Sequence, residues 1–178
     1  AAPFILETTR LRLREFREED APGLLRLNED LEVLRYTGEA PFGAATSTEQ
    51  LLRHYAPSGD DGFGRWALER LEDNEFLGFC GLRRCDRTGK VDLHLRLFPE
   101  YWSKGYATEA GRGALEAGFR QFGLDEISGR AMRENLPSIT ILQKLGMKYR
   151  DMIEDDGVFW LEYSVTADRF LNEYLHRT

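Results

Sequence analysis

The sequence predicts an α/β domain in which helices flank a mixed, mostly antiparallel central sheet of about seven strands. Three observations carry that fold class. The stretches "GRWALERLE", "FLGFCGLRR" and "KVDLHLRLF" follow one another with only "EDNE" and "CDRTGK" between them, so they connect as a meander. A long helix, the strand "EISGRAM" and the helix "NLPSITILQKLG" come next, which rules out a regular doubly wound series. The turn "DDG" then joins "MKYRDMIE" to "VFWLEYSV" as a closing hairpin.

The remaining elements follow in order. "TTRLRLREF" alternates Leu11 and Leu13 with Arg10, Arg12 and Arg14, the period of a half-buried strand. "EEDAPGLLRLNED" and "LEVLRYTG" read as short helices, broken at Gly38 and Pro41. Thr46 and Glu49 in "TSTEQLLRHYA" stand at capping-box spacing and predict a further helix start. "YAPSGDDGFG", Tyr55 to Gly64, is the most loop-like segment and is too short to separate domains. After the meander, a helix is predicted from about Thr108 to Phe122, with Gly123 in a left-handed cap and Leu124 covering the last turn. In the next helix Asn135 is the N-cap and Pro137 falls in the first turn, where a missing N–H costs little. "TADRFLNEYL" is a final helix capped by Thr166. No repeat, low-complexity tract or linker interrupts this order, so one domain over residues 1–178 is expected.

Composition narrows the function classes. The 178 residues suffice to bury a core without disulfide staples. With 42% hydrophobic and 31% charged residues, a soluble globular chain is expected rather than a disordered one. No apolar run approaches the roughly 20 residues of a membrane helix. The opening "AAPFILETTRLRLREF" lacks a signal-peptide pattern, so a cytoplasmic location is the expectation. A net charge of -7 argues against non-specific nucleic-acid binding and is compatible with a cationic partner. Cys80 and Cys85, at an odd spacing, would point to opposite faces of one strand, which disfavours a disulfide. Neither they nor His54, His94 and His176 form a local ligand set, so no metal is expected.

Three stretches have the residue types that chemistry needs. In "YWSKGYATEAGRGAL" a strand ends, a turn containing Gly105 follows, and a helix begins. The unpaired N–H groups and positive dipole end of such a helix suit a pyrophosphate, although the same pattern also serves a plain helix start. The Walker and dinucleotide-binding spacings are absent. In "ENLPSITILQKLGM", Asn135 and Ser138 stand at and just inside a helix start, as a cap and a surface hydroxyl or as outward hydrogen-bond donors. In "VDLHLRLF", Val91, Leu93, Leu95 and Leu97 share one face, while Asp92, His94 and Arg96 share the other. That polar face reads either as solvated or as a substrate wall with groups able to take protons.

Together these stretches resemble the GNAT N-acetyltransferase superfamily, in particular its RimJ/RimL-like branch of ribosomal-protein N-terminal acetyltransferases. "TTRLRLREFREED", "FLGFCGLRR", "LFPEYWSKGYATEA" and "NLPSITILQKLGM" carry the resemblance, in register from about Thr8 to Phe170. The acyl-CoA signature Gln/Arg-x-x-Gly-x-Gly/Ala reads here as Trp102, Ser103, Lys104, Gly105, Tyr106 and Ala107, and tryptophan in the first position is usual for the branch. The resemblance implies that backbone N–H groups from Ser103 to Thr108 hold the CoA pyrophosphate. It implies that the backbone at Leu95 and Leu97 pairs with the pantetheine arm where the strand splays from its neighbour. Asn135 matches an asparagine that contacts CoA, and Ser138 a serine that protonates the leaving thiolate in some members.

Three departures accompany it. Many members carry a tyrosine as general acid where this chain has Leu142. Asp92 stands where the branch often has glutamate. His94 replaces a small residue. The implied activity is transfer of acetyl from acetyl-CoA to a primary amine, on a protein, peptide or small molecule, within a ternary complex. Asp92, directly or through water, is the first candidate base and His94 the second, with Ser138 or water returning a proton to sulfur. The alternative from another class is a catalytically weak acyl-CoA-binding sensor or interaction module. The N-terminal helices and "YTGEAPFGAATS" are expected to line the acceptor side, with Phe42, Phe63 and Trp66 as candidate contributors and core packing as the favoured reading of Trp66. A homodimer is common in the branch.

Overall fold

The chain runs β1 (Ile5–Glu7), β2 (Leu11–Arg14), a 3-10 turn (Glu18–Asp20), α1 (Ala21–Glu29), α2 (Leu31–Leu34), α3 (Thr48–Tyr55), β3 (Arg65–Arg70), β4 (Phe76–Arg84) and β5 (Val91–Leu97). It continues with a second 3-10 turn (Pro99–Tyr101), α4 (Tyr106–Arg120), β6 (Glu126–Ala131), α5 (Leu136–Lys144), β7 (Lys148–Asp155), β8 (Val158–Thr166) and α6 (Ala167–Arg169). Wider π-type winding then carries the chain to Tyr174. The structure, a computed structural model, describes residues 5–43, 46–57 and 61–174. His176 and part of the Tyr55–Gly64 loop lie outside the described residues.

All eight strands join one sheet in the order β1-β2-β3-β4-β5-β6-β8-β7. Every neighbouring pair is antiparallel except β5 and β6, which are parallel and joined through α4. The expected class is therefore observed, with one strand more than the seven expected. The additional one, β1, pairs with β2 from Ile5↔Arg14 to Glu7↔Arg12 and is too short to show a period.

Two helical layers cover the sheet. α4 packs on β2, β4, β5 and β6. Leu115 and Phe119 of α4 join Leu11, Leu13, Leu82 and Ile127 in the larger core. Burying each such side chain contributes roughly 1.5–3 kcal/mol. α1 and α3 pack together beside β4, where Leu24, Leu27, Leu51 and Tyr55 close over Phe79. A buried ion cluster fixes the entry to this layer: the Arg14 guanidinium donates to Asp20 at 2.8 and 2.9 Å and to Glu69 at 3.1 Å.

Local signals locate most element ends to within two residues. The α3 cap is displaced by one residue: Ser47, not Thr46, accepts from Gln50 N–H, and the Gln50 side chain accepts from Ser47 N–H. α4 starts at Tyr106 rather than Thr108, because Gly105 already serves as its N-cap. The expected left-handed Gly123 has φ +67°, and Leu124 N–H donates to Gly118 C=O. Asn135 and Thr166 cap α5 and α6 as predicted, each side chain accepting a first-turn N–H. Cys80 is buried and Cys85 half-buried, and both are free thiols.

Candidate active site

The sheet opens between β5 and β6. Their register is one pair, Asp92↔Ser128, whereas β4 and β5 pair along the whole of β5. Phe98 N–H donates to Leu77 C=O on β4. Backbone groups alternate sides along a strand, so those of Leu95 and Leu97 point away from β4, into the opening. Trp102 Nε1–H donates to the Leu97 carbonyl at 2.9 Å, so the first residue of the signature pins the strand end. Leu95 is then the strand position whose backbone meets the gap with no partner on β6.

Beside this opening stands the N-terminus of α4. Gly105 has φ +82° and ψ 1°, and Ser103 has φ +61°, a left-handed turn that tips the backbone into the helix. Ser47, Asn135 and Thr166 use their side chains to cap α3, α5 and α6, while α4 has no side-chain cap. Its first-turn N–H groups are thus bare donors at a positive dipole end.

A brace that the sequence reading missed holds this turn. Glu109, in the first turn of α4, accepts from Thr8 Oγ1 at 2.5 Å, Arg10 N–H at 2.8 Å and Arg10 Nε at 2.7 Å. Arg10 Nη1 donates to the Lys104 carbonyl at 3.0 Å, and its guanidinium lies 4.4 Å from the Tyr106 ring centroid. Burial pushes the Glu109 carboxyl up, but the bonds from Thr8 and Arg10 outweigh it and hold it below the usual range. A groove of about 340 Å³ runs outward from Gly105, lined by Thr9, Thr108, Glu109, Arg112 and Lys144. The acid in the first turn of α4 was visible in the sequence, but nothing local links it to an arginine 99 positions away.

Across the opening, α5 presents Asn135 and Ser138. Asn135 Nδ2 donates to Ser138 Oγ at 2.9 Å, and Asn135 Oδ1 accepts from Ser138 N–H at 3.4 Å. The Ser138 oxygen is thereby engaged as an acceptor, and its own proton remains to be given elsewhere. Leu142 is 6% exposed and faces the core, where a Cβ on Gly129 would lie 2.7 Å from Leu142 Cδ2.

On the opposite face of β5, Asp92, His94 and Arg96 form a wall beneath α1 and the segment after α2. Burial raises the Asp92 carboxyl above its ordinary value, partly countered by Arg130, whose Nε lies 3.8 Å from Asp92 Oδ2. Burial and the arginines 65, 83, 96 and 130 push His94 down to about 3, so its imidazole is neutral at pH 7 and holds a proton poorly. Arg96 is fixed by Asn28 Oδ1 at 3.0 Å and Glu39 at 2.8 Å. Phe42 reaches this side, with its ring 5.3 Å from His54. Phe63 and Trp66 instead fill the larger core beside Phe122, and they do not line the wall. Among the described residues no group of three or more His, Cys, Asp or Glu is placed to hold a metal ion. Among the described residues no helix is long and apolar enough to cross a membrane.

β5 thus combines a strand edge at Leu95 without a β6 partner with a half-buried carboxylate at Asp92, and it leads into the α4 N-terminus that has no side-chain cap. The chain matches the acetyltransferase (GNAT) domain over residues 10–148 and belongs to that family. It is accordingly an acetyl-CoA-dependent N-acetyltransferase. It is 29% identical over 172 residues to an uncharacterized N-acetyltransferase, p20, of Bacillus licheniformis, covering 96% of this chain and 93% of the relative. It is 28% identical over 137 residues to the spermidine N(1)-acetyltransferase of Escherichia coli K12, covering 76% and 72%. In fold it is similar to the spermidine N-acetyltransferase of Vibrio cholerae in complex with CoA and spermine, at TM-score 0.77 and 19% identity over 93% of this chain and 100% of that one.

Proposed function

We propose that this protein is a RimJ/RimL-like N-acetyltransferase that moves acetyl from acetyl-CoA directly to a primary amine held against Asp92. One observation carries the reading: β5 parts from β6 after Asp92, directly beside the uncapped α4 N-terminus. The N–H groups from Ser103 to Thr108 are assigned to the pyrophosphate, and Gly105 fits that role because no side chain there intervenes. Lys104 and Tyr106 belong to the same turn, with Ala107 keeping the following position small. The Leu95 backbone is assigned to the pantetheine amide, alongside Leu97, while Asn135 contacts CoA from α5.

The acceptor arrives as an ammonium, which has no lone pair to attack with. Asp92 takes its proton, directly or through one water, and its raised affinity for protons suits it to that task. The amine nitrogen then forms a bond to the thioester carbon, and the negative charge on the carbonyl oxygen is met by a backbone N–H near Leu95. As the C–S bond breaks, the nitrogen gives its second proton to solvent and the thiolate takes the proton of Ser138, which solvent replaces; Asp92 then returns its own proton to solvent. His94 is too weakly basic to compete with Asp92 for the amine proton, and it serves as a neutral polar surface beside it. Holding both reactants in one cleft supplies much of the rate.

The test is release of free CoA from acetyl-CoA by purified protein across a panel of amino acids, peptides and polyamines. Steady release with at least one acceptor supports the reading. Tight acetyl-CoA binding with no turnover on any amine would leave a binding module instead. A homodimer belongs to the same reading, and light scattering of the purified chain tests it.

A further inference from the structure

The acceptor side of the sheet contains a second buried carboxylate. Residues opposite one another on neighbouring strands share a face, and so do alternate residues of one strand. Arg83 stands opposite Asp92, Asp92 opposite Ser128, and Arg130, which follows Ser128 by one turn of the pleat, opposite Glu162. Asp92 of β5, Arg130 of β6 and Glu162 of β8 are therefore on one face, that of the wall. Arg130 stands between the acids: its Nε lies 3.8 Å from Asp92 Oδ2, and Glu162 is its direct cross-strand partner. Lys90, which precedes β5, reaches across to donate to Glu162 Oε1 at 3.1 Å.

Glu162 is 4% exposed. A carboxylate so deep in the fold is costly unless its oxygens are met by donors. Lys90 meets one of them. Asp92 Oδ1, Arg130 Nε and Glu162 Oε2 are each buried with no hydrogen-bond partner among the described residues. Arg130 is drawn aside to Asp155, which accepts from Nη1 at 3.0 Å. A like charge nearby disfavours ionisation of a carboxyl. Burial raises Asp92, Glu162 adds to that rise, and Arg130, Lys90 and Arg83 oppose it. The other charged neighbours are engaged elsewhere: Asp155 also meets Arg87 at 2.6 Å, and Arg96 meets Glu39, from the segment after α2, at 2.8 Å. His94 is neutral at pH 7.

We propose that Glu162 is a positioning residue for the base: Asp92 and Glu162 act as one carboxylate pair across β5, β6 and β8, and the charge on Glu162 makes Asp92 hold more firmly the proton that it takes from the amine. The proton balance is simple. The N–H bond breaks, its electron pair stays on nitrogen, an O–H bond forms on Asp92, and Glu162 remains an anion. This rests on the transferase reading and adds a residue to the same site. Without the charge of Glu162, Asp92 ionises at lower pH and is a weaker base.

The experiment is a carbon NMR titration of the side-chain carboxyls of the purified protein, with Asp92→Asn marking the Asp92 resonance. In Glu162→Gln the Asp92 midpoint should move down by about half a pH unit or more, and in Arg130→Gln it should move up. Glu162→Asp keeps the charge and should bring the midpoint back toward the parent. A midpoint that Glu162→Gln leaves unmoved, or raises, overturns the proposal. Should Glu162→Gln not fold, the parent protein decides: the Glu162 resonance should show an inflection at the Asp92 midpoint, which Asp92→Asn removes, and its absence overturns the pair. With spermidine and phenylalaninamide as acceptor probes, the acid limb of kcat/KM should move down in Glu162→Gln and the plateau should fall by about threefold or more, with acetyl-CoA affinity unchanged. A merely structural Glu162 would lower activity without moving the limb, and that result also overturns the proposal. The titration needs no acceptor, so absence of turnover on every amine of the panel sinks the transferase reading separately.

Discussion

Arg10→Ala removes three contacts at once from the turn that begins α4. The ion pair with Glu109 is partly exposed and solvent-screened, the bond to the Lys104 carbonyl is neutral on one side, and the contact with the Tyr106 ring is a cation–π pair. Together they are worth about 2 kcal/mol at neutral pH. For a domain of this size that lowers Tm by about 4–8 °C. The same change loosens the backbone that presents the α4 N–H groups, so acetyl-CoA affinity should fall about tenfold, or ~1.4 kcal/mol. The pH dependence tests the cause. Glu109 is held below its ordinary value in the fold, so its contribution is present above the unfolded value and is lost as pH falls through the folded one. The Tm gap between the two proteins should therefore persist at pH 5 and narrow only below the usual carboxylate range. Scanning calorimetry from pH 3 to 8, with acetyl-CoA titrations at pH 7, measures both. An unchanged Tm at pH 7, or a gap that stays constant into acid, would refute the brace.

Four further outcomes are expected. Gly105→Asp forces a side chain into φ +82° and sets a carboxylate against the proposed pyrophosphate position, so acetyl-CoA binding by calorimetry should vanish; retained affinity sinks the cradle. Ser138→Ala should lower kcat by about tenfold or more with little change in acetyl-CoA Kd, and an unchanged rate with chemistry limiting removes Ser138 as the acid. Asp92→Asn should lower kcat/KM by about 100-fold or more and erase an acid limb that lies above the ordinary carboxylate range. Since a raised carboxyl destabilises the fold at pH values above it, that variant should also melt no lower than the parent, and a large loss of Tm contradicts the burial argument. Leu142→Tyr should gain no activity and should cost about 1–3 kcal/mol, because the ring must enter a packed core against Gly129; denaturant unfolding measures it.

The parts of this fold that announce themselves locally were legible. Asn135 and Thr166 cap their helices because a short polar side chain beside a helical run has few other uses. The meander was readable because turn residues separate three strands without room for a crossover. What stayed hidden depends on distance along the chain. β1 is three residues long and owes its existence to its partner β2. The α3 cap slipped by one residue because both Thr46 and Ser47 have a hydroxyl followed by a suitable partner, and only the packed helix chooses between them. Thr8, Arg10 and Glu109 were each visible, but their meeting is a property of β2 lying under α4. The residues named for the opening, Asp92, Leu95, Gly105, Asn135 and Ser138, come from β5, α4 and α5, which the parallel crossover brings side by side. The resemblance grouped them, since no spacing rule joins residue 92 to residue 138.

Charge shows the difference between a sum and a place. The chain as a whole is acidic, and that alone is compatible with a cationic acceptor. Around His94 the count reverses. Arg65 on β3, Arg83 on β4, Arg96 on β5 and Arg130 on β6 all act on the imidazole as positive charges, and Asp92 lies directly opposite Arg83. A net charge acts over distances that salt at physiological strength screens within about 8 Å. The buried Arg65 acts on its neighbours with little solvent between them, whereas the exposed Arg83 is screened. The same arginines that strip His94 of its basicity leave Asp92 as the group able to take the amine's proton. One arrangement of charge thus bears on the choice of base, and Asp92→Asn beside His94→Gln tests it: only the first should remove the acid limb of the rate profile.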